Sequence, residues 1–190
     1  MRIMTFPNLL TVVRLALVPL IAYLLITRNS EAAFLCFALA GVTDLVDGQL
    51  ARRLDQKSLF GSWLDPAADK ALIVIVLTLL AGLGAVPIWL LLLVAVRDIA
   101  IIAGIADLYF AGKPPSFEPL FISKFNTLAQ ILYLSLVLMN LAYAANLDPF
   151  VKMAGLFTAA LTGLSFLAYF RLWLGYRRGM TQSGSSNISN

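Results

Sequence analysis

Asp44-Leu-Val-Asp47-Gly48-Gln-Leu-Ala51-Arg52 and, eight residues further on, Gly61-Ser-Trp-Leu-Asp65-Pro-Ala-Ala-Asp69 hold four of the chain's ten acidic residues. Read as helix, Asp44, Asp47, Gly48 and Ala51 fall at i, i+3, i+4 and i+7 and share one face. Gly61, Asp65 and Asp69 share a face by the same spacing. Both stretches sit within long apolar blocks. One acid inside a membrane costs about 2.5–3.5 kcal/mol on insertion scales, so uncompensated together the four would cost on the order of 10 kcal/mol. The pattern therefore predicts two membrane helices, each turning a pair of carboxylates and small residues toward a compensated interior.

The surrounding composition agrees. Of the 190 residues, 61% are hydrophobic and only 13% charged, against roughly 45–50% and 25% in a soluble domain. Six apolar blocks, approximately 8–27, 32–53, 60–83, 86–110, 120–144 and 150–176, each match the 20 or so residues that cross a bilayer core of about 30 Å. Helices satisfy their own backbone in lipid, and the alternation of a membrane barrel is missing. The expected fold is all-α, with six transmembrane helices around a polar, cytosol-facing cavity. Residues 1–180 read as one membrane domain, and the Ser- and Asn-rich 181–190 as a disordered polar tail.

The net charge of +4 does not point to nucleic acid, because its basic residues are scattered at the ends of apolar blocks. Arg2, Arg52, Arg53, Lys57, Lys113, Lys124, Arg177 and Arg178 mark the N-terminus, the second and fourth connections and the C-terminus, whereas the third connection, near Gly82 to Pro87, is uncharged. By the positive-inside rule the charged sites are cytoplasmic. The fourth connection, about Gly112 to Phe121, carries Pro114, Pro115 and Pro119 and reads as a loop able to lie over a site. No internal repeat of a transporter type is present. A lone Cys36 in an apolar run reads as core packing.

The chain has no histidine, which removes Ser-His-Asp triads, His-ligated zinc and phosphohistidine intermediates. Catalysis must use carboxylates, lysine, arginine or hydroxyls. Arg52, Arg53 and Lys70 could pair with some of the four acids, yet ion pairing does not require Gly and Ala along the same face. Metal ions compensate better, and oxygen-only ligands select hard cations such as Mg²⁺ or Mn²⁺. Two carboxylate pairs suit two cations that neutralise phosphate oxygens. Gly48, Ala51 and Gly61 read either as helix-packing residues or as space for a nucleotide and its pyrophosphate.

The pattern Asp-x2-Asp-Gly-x2-Ala-Arg-x8-Gly-x3-Asp-x3-Asp, filled by Asp44, Asp47, Gly48, Ala51, Arg52, Gly61, Asp65 and Asp69, resembles the signature of the CDP-alcohol phosphotransferase family at all eight positions. The likeness begins at Pro7-Asn8-Leu-Leu-Thr11-Val-Val-Arg14 and covers nearly the whole chain. It implies a six-helix membrane enzyme, usually homodimeric, whose cytosol-facing cavity holds two divalent cations, Mg²⁺ or Mn²⁺, and the CDP moiety. By position, Asp44, Asp47, Asp65 and Asp69 would be metal ligands, and Asp69 the general base as well. Asn8, Thr11, Asp44, Gly48, Ala51, Arg52, Ser58 and Gly61 would line the CDP-lipid site.

The acceptor motifs are Arg97-Asp98 and Phe121-Ile-Ser123-Lys124-Phe-Asn126-Thr127-Leu-Ala-Gln130, giving Arg97, Lys124 and Asn126 as candidate acceptor ligands. Family members that use glycerol 3-phosphate characteristically read Gly-Lys-x-Lys-Thr here and carry a second arginine after the first. This chain has Asn126 and Ile105 at the corresponding positions. Both losses reduce the positive charge available to a dianion. Phosphatidylglycerol, a monoanionic phosphodiester, fits better, and the segments at Phe37 to Asp44 and Phe121 to Thr127 resemble the cardiolipin-forming branch. The expected reaction joins CDP-diacylglycerol to phosphatidylglycerol and releases CMP. Its rival is phosphatidylglycerophosphate synthesis, with inositol or serine transfer behind it. A metal-ion transporter is a more remote reading, because such acids belong near the membrane midplane. Without an Arg- and Ser-rich leader before the first helix, a bacterial inner membrane is expected rather than a mitochondrial one.

Overall fold

The computed structural model describes the backbone of residues 6–54, 59–110 and 121–185, and the side chains of residues 13, 16–43, 70–110 and 121–177. The helices are α1 (Phe6–Ile26), α2 (Ser30–Leu54), α3 (Leu59–Gly82), α4 (Ile88–Phe110), α5 (Phe121–Tyr143) and α6 (Asp148–Ser185), and no strand occurs among the described residues. Each falls on one of the six apolar blocks. The Pro-rich stretch expected to be a loop, 111–120, lies outside the described residues. α6 runs past its apolar block to Ser185, because Arg177 to Ser185 contains no proline to stop it. Part of the stretch read as a disordered tail is therefore helical, while 186–190 lie outside the description.

Three helices, Ile88–Phe110, Phe121–Tyr143 and Asp148–Arg177, are long and apolar enough to cross a membrane, judged on the described residues. Shorter apolar stretches, Ala16–Ile26, Ser30–Thr43 and Lys70–Gly82, occupy the first three helices. Hydroxyls along the helices are satisfied locally, as membrane burial demands: Thr43 donates to the Ala40 carbonyl, Thr78 to Val74 and Ser135 to Ile131.

The helix ends are set by specific chemistry. The Asn29 side chain accepts from the Ala32 N–H and caps α2, while Arg28 takes a left-handed φ of 60° where α1 ends. Gly84, at φ 76°, serves the same purpose after α3, a backbone setting that glycine adopts without strain. Asn140 closes the turn between α5 and α6, accepting from the Leu147 N–H and donating to Asp148.

The chain forms two compact units, Met1–Ile88 with Gln130–Met153, and Trp89–Ala129 with Ala154–Asn190. In the first, α1 packs against α2 and α3 around Ile21, Leu25, Phe37, Val76 and Leu80, and Phe34 meets Tyr143 edge-on. The second, built from α4, the start of α5 and most of α6, buries Val94 and Leu108 but also Arg97, Asp98, Asn126, Thr158, Thr162 and Ser165. Its outward faces are apolar: Leu92, Val96, Ile99 and Ile102 form an exposed stripe on α4, and Phe121, Phe125 and Leu128 another on α5. Apolar outside and polar inside is the arrangement that lipid favours.

Candidate active site

α2 carries Asp44, Asp47, Gly48, Ala51 and Arg52, and α3 carries Gly61, Asp65 and Asp69. The helical backbone places Asp44 and Asp47 one turn apart, and likewise Asp65 and Asp69. Asn8 and Thr11 lie on α1, which packs against both of those helices. The motif-bearing elements thus belong to one unit. The side chains of all these residues, and Ser58 entirely, lie outside the described residues. Among the described residues no group of three or more His, Cys, Asp or Glu side chains comes together. An oxygen-only donor set in two one-turn pairs fits a hard divalent cation rather than zinc or a soft metal.

The candidate acceptor residues are described in full. Arg97 is 2% exposed, deep in the second unit. Its Nη2 donates to Ser123 Oγ on α5 at 2.6 Å and to Ser165 Oγ on α6 at 2.6 Å, while Nη1 donates to Asp98 Oδ1 at 2.7 Å. The guanidinium also lies over the Tyr169 ring, 5.9 Å from its centre. The adjacent carboxylate neutralises the cation, which makes burial tolerable. Of its nitrogens, only Nε is buried without a partner among the described residues.

One turn along the same two helices, Asn126, 0% exposed, meets Thr162. Thr162 Oγ1 lies 2.8 Å from Asn126 Oδ1 and 2.8 Å from the Thr158 carbonyl. A hydroxyl carries one hydrogen and cannot donate to both. Turning the amide over lets both contacts form: Asn126 Nδ2, otherwise unpartnered, donates to Thr162, which donates to Thr158. A further turn on, Thr158 Oγ1 reaches the Ala129 carbonyl at 3.4 Å. Ser123, Asn126 and Ala129 rise along α5 as Ser165, Thr162 and Thr158 descend along α6, so these antiparallel helices meet along a polar seam.

Lys124 differs from the other two candidates, being exposed with its ammonium over the Phe121 ring, 5.4 Å from the centre. The structure therefore brings Arg97 and Asn126 into successive layers of one buried seam, with Lys124 on the outer side of the same helix turn.

Residues not singled out from the sequence complete the second unit. Asp107 accepts from Trp173 Nε1 at 2.9 Å and pairs with Arg177 along one guanidinium edge, through Nε and Nη2. Arg177, read from sequence as a marker of topology, stacks 5.8 Å over Trp173. Beside this group a groove of about 420 Å³ runs between α4 and α6, lined by Ile101, Gly104, Ile105, Phe166, Phe170 and Trp173 among others. Ile105, read from the sequence as the site of a missing cation, is thus an apolar groove residue. Asp107 in an otherwise apolar block was the signal that could have identified this cluster.

A family model described as CDP-alcohol phosphatidyltransferase matches residues 4–166, and the chain belongs to that family. It is 36% identical over 185 residues to a protein of Drosophila melanogaster named probable cardiolipin synthase (CMP-forming), covering 87% of this chain and 57% of that one. Against the cardiolipin synthase (CMP-forming) of Homo sapiens, identity is 34% over 182 residues, covering 87% and 60%. The cardiolipin synthase (CMP-forming) of Streptomyces coelicolor is 38% identical over 120 residues, covering 60% and 56%. The chain spans somewhat over half the length of these curated relatives.

Proposed function

We propose that the chain is a cardiolipin synthase of this family, transferring the phosphatidyl group of CDP-diacylglycerol to phosphatidylglycerol. The observation that carries this reading is the eight-position signature on two adjacent helical segments, supported by relatives whose names state the same activity. A free hydroxyl of phosphatidylglycerol attacks the phosphorus bearing diacylglycerol, a new P–O bond forms, and the P–O bond to CMP breaks. Asp69 accepts the hydroxyl proton. Asp44, Asp47, Asp65 and Asp69 would hold two Mg²⁺ or Mn²⁺ ions, which when bound neutralise charge on the pyrophosphate. Arg52 adds a fixed cation for departing CMP, and Gly48, Ala51 and Gly61, with Asn8, Thr11 and Ser58, leave room for and bind the nucleotide.

For the acceptor, Lys124 supplies the exposed cation, while Arg97 and Asn126 act from the seam behind it. The neutral Asn126 and apolar Ile105 are what favour a monoanionic diester over glycerol 3-phosphate. We also propose six spans around a cytosol-facing cavity, residues 1–180 as one domain, a homodimer, and a bacterial inner membrane, the Streptomyces relative showing that bacteria are among the organisms with such proteins.

The test is acceptor competition with the purified protein, CDP-diacylglycerol and Mg²⁺. Phosphatidylglycerol should yield cardiolipin and CMP, with little use of glycerol 3-phosphate. EDTA should stop turnover and added Mg²⁺ or Mn²⁺ restore it. Ready use of glycerol 3-phosphate with none of phosphatidylglycerol would replace this reading by phosphatidylglycerophosphate synthesis.

A further inference from the structure

Arg97 is held from three helices, and its bonds do different jobs. Asp98 is its neighbour on α4, so that pair balances charge without tying α4 to anything else. The ties to other helices both run through Nη2, whose two hydrogens go to Ser123 and Ser165. Ser165 is fully buried, and Tyr169, one turn further along α6, covers the guanidinium face. α6 therefore sets both the edge and the tilt of the arginine. Ser123, sharing that nitrogen, immediately precedes Lys124, the exposed cation of α5. A shift of the guanidinium would be felt where α5 begins.

We infer that Ser165 is a positioning residue for acceptor selection: through Arg97 and Ser123 it fixes the place of Lys124 and of the arginine's unpartnered nitrogen, Nε. This rests on the proposed acceptor role of Arg97 and Lys124. Ser165 itself touches no substrate. Its loss leaves one hydrogen of Nη2 unpaired in a buried setting, and the guanidinium must turn to find another acceptor.

The test varies phosphatidylglycerol at saturating CDP-diacylglycerol, then the reverse, using the purified full chain. Ser165→Ala should raise the KM for phosphatidylglycerol ten- to a hundredfold, the range of one hydrogen bond to a charged group, while the KM for CDP-diacylglycerol and the melting temperature stay near those of the parent. Ser165→Thr, which keeps the hydroxyl, should restore the acceptor KM. An unchanged acceptor KM in Ser165→Ala, or a parallel rise in both KM values with a lowered melting temperature, overturns the inference. If Ser165→Ala does not fold, Ser123→Ala removes the other acceptor of the same nitrogen and is read by the same criteria. If the parent uses only glycerol 3-phosphate, the cardiolipin reading fails by itself, and the titration repeated with that acceptor still decides the role of Ser165.

Discussion

The two units bury different things. Within the first, the described residues of α1 to α3 close on aliphatic and aromatic side chains, and the described polar groups buried in that unit are the Gln130 amide and the Tyr133 hydroxyl. Within the second, Arg97, Asp98, Asn126, Thr158, Thr162 and Ser165 occupy the interior while leucines, isoleucines and phenylalanines face outward. In water the second arrangement would be perverse. In lipid an apolar side chain gains little by turning inward, whereas a polar one finds partners only there. Under the proposed function, the signature acids of the first unit would serve the reaction and the polar seam of the second would select the acceptor.

The largest expected effect breaks the first half of that comparison. Asp69→Asn should lower kcat by about 10²- to 10⁴-fold, the usual contribution of a positioned general base, and further still through loss of a metal ligand. The melting temperature should hold, which separates loss of chemistry from loss of fold. Near-normal turnover would remove Asp69 from the role of base and leave the first unit without its proposed task.

Next comes the seam. Arg97→Ala breaks the ion pair with the buried Asp98, and breaking a buried pair costs about 3–5 kcal/mol. Leu80→Ala, at an equally buried position in the first unit, removes only packing contacts and should lower the melting temperature less. Should the two variants melt alike, Arg97 contributes no more than a large side chain would, and the distinction between the units loses its energetic basis.

These residues also show how far sequence reasoning reached. Six helices were legible because each apolar block is as long as the membrane is thick, and block ends carry the charges. Arg97 was legible for a related reason, since a cation in mid-block must have a partner. Ser165, Thr162 and Thr158 were not, because small hydroxyl residues in a membrane helix look the same whether they bond their own carbonyls or a neighbouring helix. Only the register of α6 against α4 brings Ser165 to the arginine, and register is a property of packing. Asp107 and Arg177 illustrate the same limit: 70 residues apart, they pair only after α4 and α6 meet. The four motif aspartates were placed on helices by their spacing, Asn8 and Thr11 by the first apolar block, and helices are where they lie.

The seam also revises how acceptor selectivity should be altered. Installing a lysine at Asn126 puts a cation at a fully buried position beside Thr162, a change worth about 2.5–3.5 kcal/mol against insertion. Asn126→Lys should therefore melt markedly lower. Ile105→Arg, at a residue 42% exposed along the groove, should fold normally and shift preference toward glycerol 3-phosphate. A stable Asn126→Lys protein with unchanged selectivity would mean that Asn126 does not help select the acceptor.

The smallest effect is expected one layer further along. Thr162→Val keeps the shape of the side chain and deletes the hydroxyl that Asn126 and the Thr158 carbonyl share. Hydrogen bonds between membrane helices average about 0.6 kcal/mol, with a maximum near 1.7, so the melting temperature should fall only slightly, and Thr162→Ser should not lower it further than that. Asn126 then loses its contact with the Thr162 hydroxyl, yet it is neutral, and its amide has both a donor and an acceptor with which to adapt. Arg97 has donors only. The prediction is therefore a steep gradient along the seam, from a costly loss of charge at Arg97 to an inexpensive neutral loss at Thr162. Equal losses from Arg97→Ala and Thr162→Val, measured by thermal melting in the same detergent, would show instead that the layers stand or fall as one network.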